Sequence, residues 1–287
     1  MKMKPWFLFA LITTISWGVW GAFIEVPEKA GFPATLGYVV WALTMMLPAL
    51  LALKRVAWKI EKNKKAIWYG FLIGLTGSAG QLILFQALRT GPAYLVFPIV
   101  SLSPLVTILL SFLLLKEKAS AKSWLGILIA LIAIPLLAYQ PAGTGQKFGY
   151  LWILLALAVF LIWGLQAYFM KVANLHMMAE SIFFYMMISG LALVPFALLM
   201  TDLTQEINWG LKGPYLAAGI QLLNAIGALF IVYAFRYGRA IIVSPLTNAG
   251  APVITIILSL LIYGVFPNSV MLVGMLLAVT AIFFLAD

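Results

Sequence analysis

The chain carries one pattern twice. Ala87-Leu88-Arg89-Thr90-Gly91, then Phe97-Pro98 and Pro104-Leu105-Val106-Thr107-Ile108, returns as Ala234-Phe235-Arg236-Tyr237-Gly238, Ser244-Pro245 and Pro252-Val253-Ile254-Thr255-Ile256. The offset is about 147 residues, half of the 287-residue chain. Shorter matches extend it: Ser16-Trp17-Gly18 with Ile162-Trp163-Gly164, and Trp124-Leu125-Gly126 with Leu272-Val273-Gly274. A duplicated unit of this length restricts the fold to arrangements in which one half packs against a copy of itself.

The copies are built for lipid. Apolar residues make up 64% of the chain and charged residues 9%, whereas a soluble domain carries roughly a quarter charged residues. Ten apolar runs, at 6–25, 34–53, 66–88, 92–115, 121–140, 149–171, 178–200, 213–235, 240–263 and 268–286, are each long enough to cross ~30 Å of hydrocarbon as a helix. They are continuous rather than alternating, which predicts helices and not a barrel. The predicted fold class is therefore all-α integral membrane, with ten transmembrane helices as two inverted five-helix repeats. The first repeat is 1–140, the linker 141–148 and the second repeat 149–287. Met1 to Ala22 has the basic end and apolar core of a signal peptide. No small-residue cleavage site follows, and the segment has a counterpart in the second half, so it is predicted to be a retained helix.

The net charge of +10 points to orientation rather than to nucleic acid, because the basic residues sit in short gaps between apolar runs. With the N-terminus inside, 14 Lys and Arg residues lie on the inner side and four (Lys29, Arg89, Lys147 and Lys212) on the outer. The positive-inside bias then predicts a multi-pass protein of the cell inner (cytoplasmic) membrane with both termini cytoplasmic. Five helices per half is an odd number, so the second half enters the bilayer upside down, the ground plan of many transporters.

These residues reach a known family. The Ala-Leu-x-x-Gly-Pro-Ala-x-x-Val segment at 87–96, the proline-rich fourth helix ending in Leu115-Lys116-Glu117, and Trp163-Gly164 in the sixth helix resemble the drug/metabolite transporter superfamily, specifically EamA-type transporters. The resemblance covers both halves. It implies transport of amino acids, nucleobases or related metabolites, in export or in uptake. Two departures stand out. The ninth helix ends in Tyr263-Gly264-Val265 with no acid to match Glu117, and the second helix carries Tyr38 to Trp41 where many members have an arginine.

Candidate site residues follow from depth and polarity. In inverted-repeat carriers the solute binds near the midplane between repeats, beside interrupted helices. Pro98 and Pro104 in the fourth helix, and Pro245 and Pro252 in the ninth, are the gating candidates, since each interior proline removes a donor and can kink its helix; packing alone is the competing role. Gly70, Gly74, Gly77 and Gly80 share one face of the third helix and are assigned to close packing. The polar groups Gln81, Ser101, Ser103, Gln166, Asn224 and Asn248 must face one another, water or solute. Trp17, Trp20, Trp41, Trp163 and Tyr185 fall deeper than the interfacial aromatics and would line a pocket for a flat, apolar or cationic solute. Glu25, at the outer end of the first helix, is the one candidate for proton coupling, with an ordinary interfacial charge as its alternative role.

The remaining classes are disfavoured. No cluster of His, Asp or Glu offers metal ligands, no Gly-rich phosphate loop precedes a Lys-Ser/Thr pair, and no nucleophile has a base beside it. The expectation is a non-enzymatic secondary transporter, without cofactor or metal, moving a small organic metabolite by alternating access. Its partners are that solute and the lipid bilayer, and the sequence leaves monomer and homodimer open. A sugar or sugar-alcohol carrier that stacks tryptophans on pyranose faces is the alternative within transport. A non-transporting structural membrane protein is the alternative outside it, though it gives the duplication no use.

Overall fold

The computed structural model describes residues 4–91, 93–139, 149–264 and 266–285, with the side chains of 93–95 and 98 set aside. The expected linker 141–148 and the side chain of Pro98 therefore lie outside the described residues. Among the described residues the chain is helical, with no strand. The helices are α1 (Pro5–Lys29), α2 (Ala34–Arg55), α3 (Lys64–Thr90), α4 (Ala93–Ser101 and Pro104–Leu113), α5 (Ala121–Leu137), α6 (Leu151–Ala173), α7 (Ala179–Leu199), α8 (Leu211–Tyr237), α9 (Ala240–Tyr263) and α10 (Ser269–Leu285). Seven are long and apolar enough to cross a membrane; α4, α5 and α10 are shorter apolar stretches.

Local chemistry sets the ends. Asn63 Oδ1 accepts from Ala66 N at 2.9 Å to open α3, Ser120 Oγ from Ser123 N at 3.0 Å to open α5, and Asn268 Oδ1 from Met271 N at 2.9 Å to open α10. Such caps satisfy amide groups that a helix start leaves bare. Gly264 stops α9 in the left-handed conformation, φ +64°, which a glycine adopts without strain.

The proline pairs behave differently in the two copies. In α4 the helix opens at Leu102 and Ser103, and Pro104 starts the second piece, the helical position where its missing N–H costs nothing. In α9 the helix runs through both Pro245 and Pro252. Side chains brace the backbone there: Thr247 Oγ1 donates to Val243 O at 3.0 Å, Asn248 Nδ2 to Ser244 O at 2.9 Å and Thr255 Oγ1 to Ala251 O at 3.2 Å. Hydroxyls and amides of this kind let a membrane helix carry proline without breaking. Thr107, which corresponds to Thr255, donates across to Gly164 O in α6 instead of to its own helix.

Packing crosses between the repeats and does so reciprocally. Helix α1 lies against α8 and α9, and α6 lies against α3 and α4. Trp17 Nε1 donates to Asn224 O at 3.3 Å, and Trp163 Nε1 to Gly77 O at 3.3 Å. Thr255 Oγ1 donates to Gly18 O at 2.9 Å, and Thr107 Oγ1 to Gly164 O at 3.0 Å. Each bond has its mate about half a chain away, so the duplicated sequence is a duplicated set of contacts. Large apolar side chains such as Leu109, Leu154 and Leu276, exposed at 54%, 66% and 72%, point away from these seams, as lipid-facing residues do.

Two glycines make the seams possible. A Cβ at Gly18 would stand 2.5 Å from Ile254 Cβ, and one at Gly164 would stand 2.4 Å from Val106 Cβ. Without a hydrophobic drive inside lipid, this close approach supplies the attraction. Gly18→Ala and Gly164→Ala are each expected to lower stability by about 1–3 kcal/mol, read as a fall in the melting midpoint of detergent-solubilised protein. Melting unchanged from wild type in either variant would show that the seam yields without cost.

Candidate functional site

Helices α1, α2, α3, α6 and α8 bring most of the expected site residues into two groups. On the α1–α8 side, Trp17 is tied to the Asn224 carbonyl, and Trp20 Nε1 donates to Gln221 Oε1 at 3.1 Å. Gln221 is buried and the Asn224 side chain half-buried. On the α3–α6 side, Trp163 is tied to the Gly77 carbonyl, Gln166 lies over Gly77, and Gln81 follows one turn along α3. Trp41 joins from α2, its ring 5.3 Å from that of Tyr38.

Hydrogen bonding separates framework from free groups. The indole N–H groups of Trp17, Trp20 and Trp163 are all engaged, so these three rings offer a solute their faces and not a donor. The side-chain amides of Asn224, Gln81 and Gln166 make no hydrogen bond to another described residue, although each residue is only half-exposed. Trp41 Nε1 is buried with no partner. A buried unpaired donor costs on the order of 1–3 kcal/mol, which a solute acceptor would recover. Three amides and one indole N–H without a partner among the described residues, and three rings whose N–H groups are tied, are what these five helices carry at mid-depth.

The other candidates sit elsewhere. Asn248 donates its amide to Ser244 O within α9. Ser101 and Ser103 flank the break in α4, half-buried and buried respectively, and the Ser103 carbonyl borders Gly164. Tyr185 is buried near the start of α7, its ring against Gly70 and its hydroxyl donating to Glu61 O at 2.8 Å, so it belongs to one end of the bundle. Glu25 pairs with Lys29 at 2.6 Å, both side chains open to solvent at 67% and 75%.

One cluster was missed by sequence reasoning. At the end of the bundle rich in basic residues, Lys171 Nζ donates to Gly238 O at 2.6 Å and to Phe235 O at 3.0 Å, and it lies 3.8 Å from Glu117 Oε1. Glu117 Oε2 accepts from Ile241 N at 3.1 Å. The pair is nearly sealed, with side chains 14% and 9% exposed. It joins α6, the α4–α5 loop, the end of α8 and the start of α9. Nearby, Glu61 accepts from Met178 N at 2.9 Å and from the Ser181 hydroxyl, fastening the α2–α3 loop to the N-terminus of α7, where a carboxylate is favoured. The terminal Leu115-Lys116-Glu117 was visible in the sequence; its pairing with a lysine more than fifty residues away was not.

The sequence profile of the EamA-like transporter family matches residues 4–139 and, a second time, residues 150–286. The chain belongs to the EamA-like transporter family. The two matches fall on the two halves whose contacts are reciprocal, so this EamA-like protein is a multi-pass membrane protein of two repeats. An uncharacterized protein of Methanocaldococcus jannaschii is 28% identical over 132 residues, which are 46% of this chain but 94% of that protein; that relative is about one repeat long. A crystal structure of a protein 18% identical in sequence superposes with a TM-score of 0.78, covering 96% of this chain and 95% of that one, which establishes the shared fold.

Asn224→Ala is expected to leave the melting midpoint near that of wild type while removing solute-dependent stabilisation, a loss of about 1–3 kcal/mol in binding. Trp163→Phe, which breaks the bond to Gly77 O, is expected to lower stability by about 0.5–1.5 kcal/mol even without solute. Thermal melts with and without the solute found by a ligand screen distinguish the two, and equal solute shifts in wild type and Asn224→Ala would remove Asn224 from the site.

Proposed function

We propose that this chain is a secondary transporter that carries a small organic metabolite by alternating access. In this reading all ten helices cross the bilayer, the two five-helix repeats are inverted, and both termini face the cytoplasm. The observation that carries it is the reciprocal pair of indole-to-carbonyl bonds, from α1 to α8 and from α6 to α3. These bonds fix two equivalent seams, and each carries side-chain amides without a partner among the described residues: Asn224 at one, Gln81 and Gln166 at the other. Equivalent seams give a solute site between them two interchangeable routes of access, one per repeat.

Solute chemistry follows from the free groups. Neutral amides and an indole N–H read hydroxyl, carbonyl and ring nitrogen. Ring faces favour flat or cationic bodies. Amino acids, nucleobases and amines all fit that description. In this reading Glu25 guards the outer mouth, where its water-exposed carboxylate draws cations. The broken α4 is the moving element, with Pro104 at its hinge.

The buried Lys171–Glu117 pair closes the cytoplasmic end. Removing one partner of a buried pair costs several kcal/mol because the other is left uncompensated. Rupture of this pair is therefore the step that opens the inner route. The chain has no cysteine, so a single Asn224→Cys probe reports access directly. Lys171→Met is expected to raise labelling of that probe from the cytoplasmic face about tenfold, equivalent to about 1.4 kcal/mol in the gate equilibrium. Labelling that stays at the parent rate would make the pair purely structural.

The whole reading is tested by flux into proteoliposomes with a panel of amino acids, nucleobases, amines and sugars. Saturable uptake of one class, lost in Asn224→Ala, is the expected result. Uptake confined to sugars would favour the pyranose-stacking alternative, and no flux for any class, with the protein folded, would overturn transport. If a proton accompanies the solute at Glu25, flux depends on pH and Glu25→Gln flattens that dependence. A profile unchanged in Glu25→Gln would rule out coupling at that residue.

A further inference from the structure

At the basic end of the bundle, apart from the solute site, a cavity of about 360 Å³ opens between the start of α1, the start of α5 and the α8–α9 turn. Its walls include Lys4, Trp6, Ser120, Ser123, Tyr237 and Arg239. We propose that this cavity binds the phosphate headgroup of an anionic glycerophospholipid.

The wall is made of donors. Lys4 and Arg239 bring two cations, and among the described residues neither lies in a salt bridge with a carboxylate. The Trp6 indole N–H and the Tyr237 hydroxyl make no hydrogen bond to another described residue. Arg239 uses one guanidinium nitrogen on Lys118 O, which fixes the group and leaves its other donors available. Ser120 and Ser123 bond each other at 2.9 Å and cap α5. Among the described residues no acid lines the cavity, and Glu117 in the adjoining α4–α5 loop is turned onto Lys171 and Ile241 N. Among the described residues, a wall that carries arginine, lysine, indole and phenol and no carboxylate matches a phosphodiester, which has acceptor oxygens and a negative charge but no donor on its phosphate.

The second repeat supplies a built-in control. The equivalent place at the other end keeps the frame: Trp152 sits against Gly91 as Trp6 does against Gly238, and Asn268 caps α10 as Ser120 caps α5. In the sequence, Tyr150 and Pro92 correspond to Lys4 and Arg239, so neither cation is repeated in the other copy. A general excess of inner positive charge asks only that Lys and Arg be on that face. It does not ask that two of them converge on one cavity with an indole and a phenol. Basic pockets between helices at the cytoplasmic interface suit anionic headgroups; that the cavity meets the cytoplasmic leaflet rests on the orientation proposed above. Headgroup occupancy would also clamp Gly238, whose carbonyl holds Lys171, and so favour a closed inner end.

The test uses the purified full chain in phosphatidylcholine nanodiscs with and without phosphatidylglycerol, where either face meets lipid and orientation has no influence. Phosphatidylglycerol is expected to raise the wild-type melting midpoint and to remain bound in native mass spectra. Retention should fall about tenfold or more in the Lys4→Gln/Arg239→Gln double variant, because each substitution takes one cation away from the headgroup phosphate. The double variant should melt as wild type in phosphatidylcholine alone, because both side chains are exposed. Lys59→Gln/Lys62→Gln removes the same charge from the same end and should retain lipid like wild type. Equal loss in both double variants would overturn the site in favour of diffuse attraction. Inorganic phosphate that matches phosphatidylglycerol in phosphatidylcholine nanodiscs would overturn the lipid assignment in favour of a free anion.

Discussion

The rest of the structure depends on how two helices approach each other when lipid, and not water, surrounds them. Burying apolar surface gains nothing against hydrocarbon, so association relies on close backbone contact and on polar groups that find partners. This chain meets both needs at the same points. Gly77 and Gly80 admit the Gln166 and Trp163 side chains on one seam, and Gly227 admits the Trp17 ring on the other. The indole N–H, otherwise costly at that depth, then donates to the carbonyl exposed by the missing side chain, Trp163 to Gly77 and Trp17 to Asn224. One residue type supplies area, the other supplies access, and neither works without its partner across the repeat boundary.

A consequence is that framework and site are interleaved rather than separate. The tryptophans whose depth makes them candidate ligands are also the bolts of the seam. The donors of Trp17 and Trp163 are committed to backbone and that of Trp20 to the Gln221 side chain, whereas Trp41 Nε1 has no partner among the described residues. Asn224 illustrates the division within a single residue: its carbonyl anchors Trp17 and its side chain is left free. A solute that engages the amide therefore touches the element that sets the α1–α8 distance. In the proposed reading, binding and seam geometry are coupled through that one residue, a short route by which occupancy would bias the arrangement of the repeats.

Much of this was legible in the sequence, and the limits have physical causes. The repeat could be read because the same contacts recur at one offset, so that Trp17 and Trp163, or Thr107 and Thr255, had to play matching parts. The glycine face of α3 could be read because helical spacing fixes it. Its split between partners could not, since Gly70 and Gly74 meet α7 whereas Gly77 and Gly80 meet α6. Paired prolines suggested paired kinks. The break falls at Leu102 and Ser103 in α4, whereas in α9 Thr247, Asn248 and Thr255 brace the backbone around both prolines; Thr107, the counterpart of Thr255, donates across to Gly164 O. The Lys171–Glu117 pair stayed hidden for a different reason: each residue is an ordinary interfacial charge until the fold brings α6 and the α4–α5 loop together and excludes water from both.

That pair is where the copies stop being equivalent. At the opposite end, the residues corresponding to Lys171 are Ile24 and Glu25, and the position of Glu117 falls at Gly264 and Val265. No matching ion pair can form there, and Glu25 instead faces solvent beside Lys29. An exact duplication would make the inward-open and outward-open states equal in energy, apart from the membrane's own asymmetry. In the proposed cycle, a buried pair at one end, its carboxylate also accepting from Ile241 N at the start of α9, favours the state in which that end is shut. In the proposed transport cycle, the charges that diverged after duplication tilt the balance between the two access states, while the glycines and tryptophans shared by both copies hold the seams.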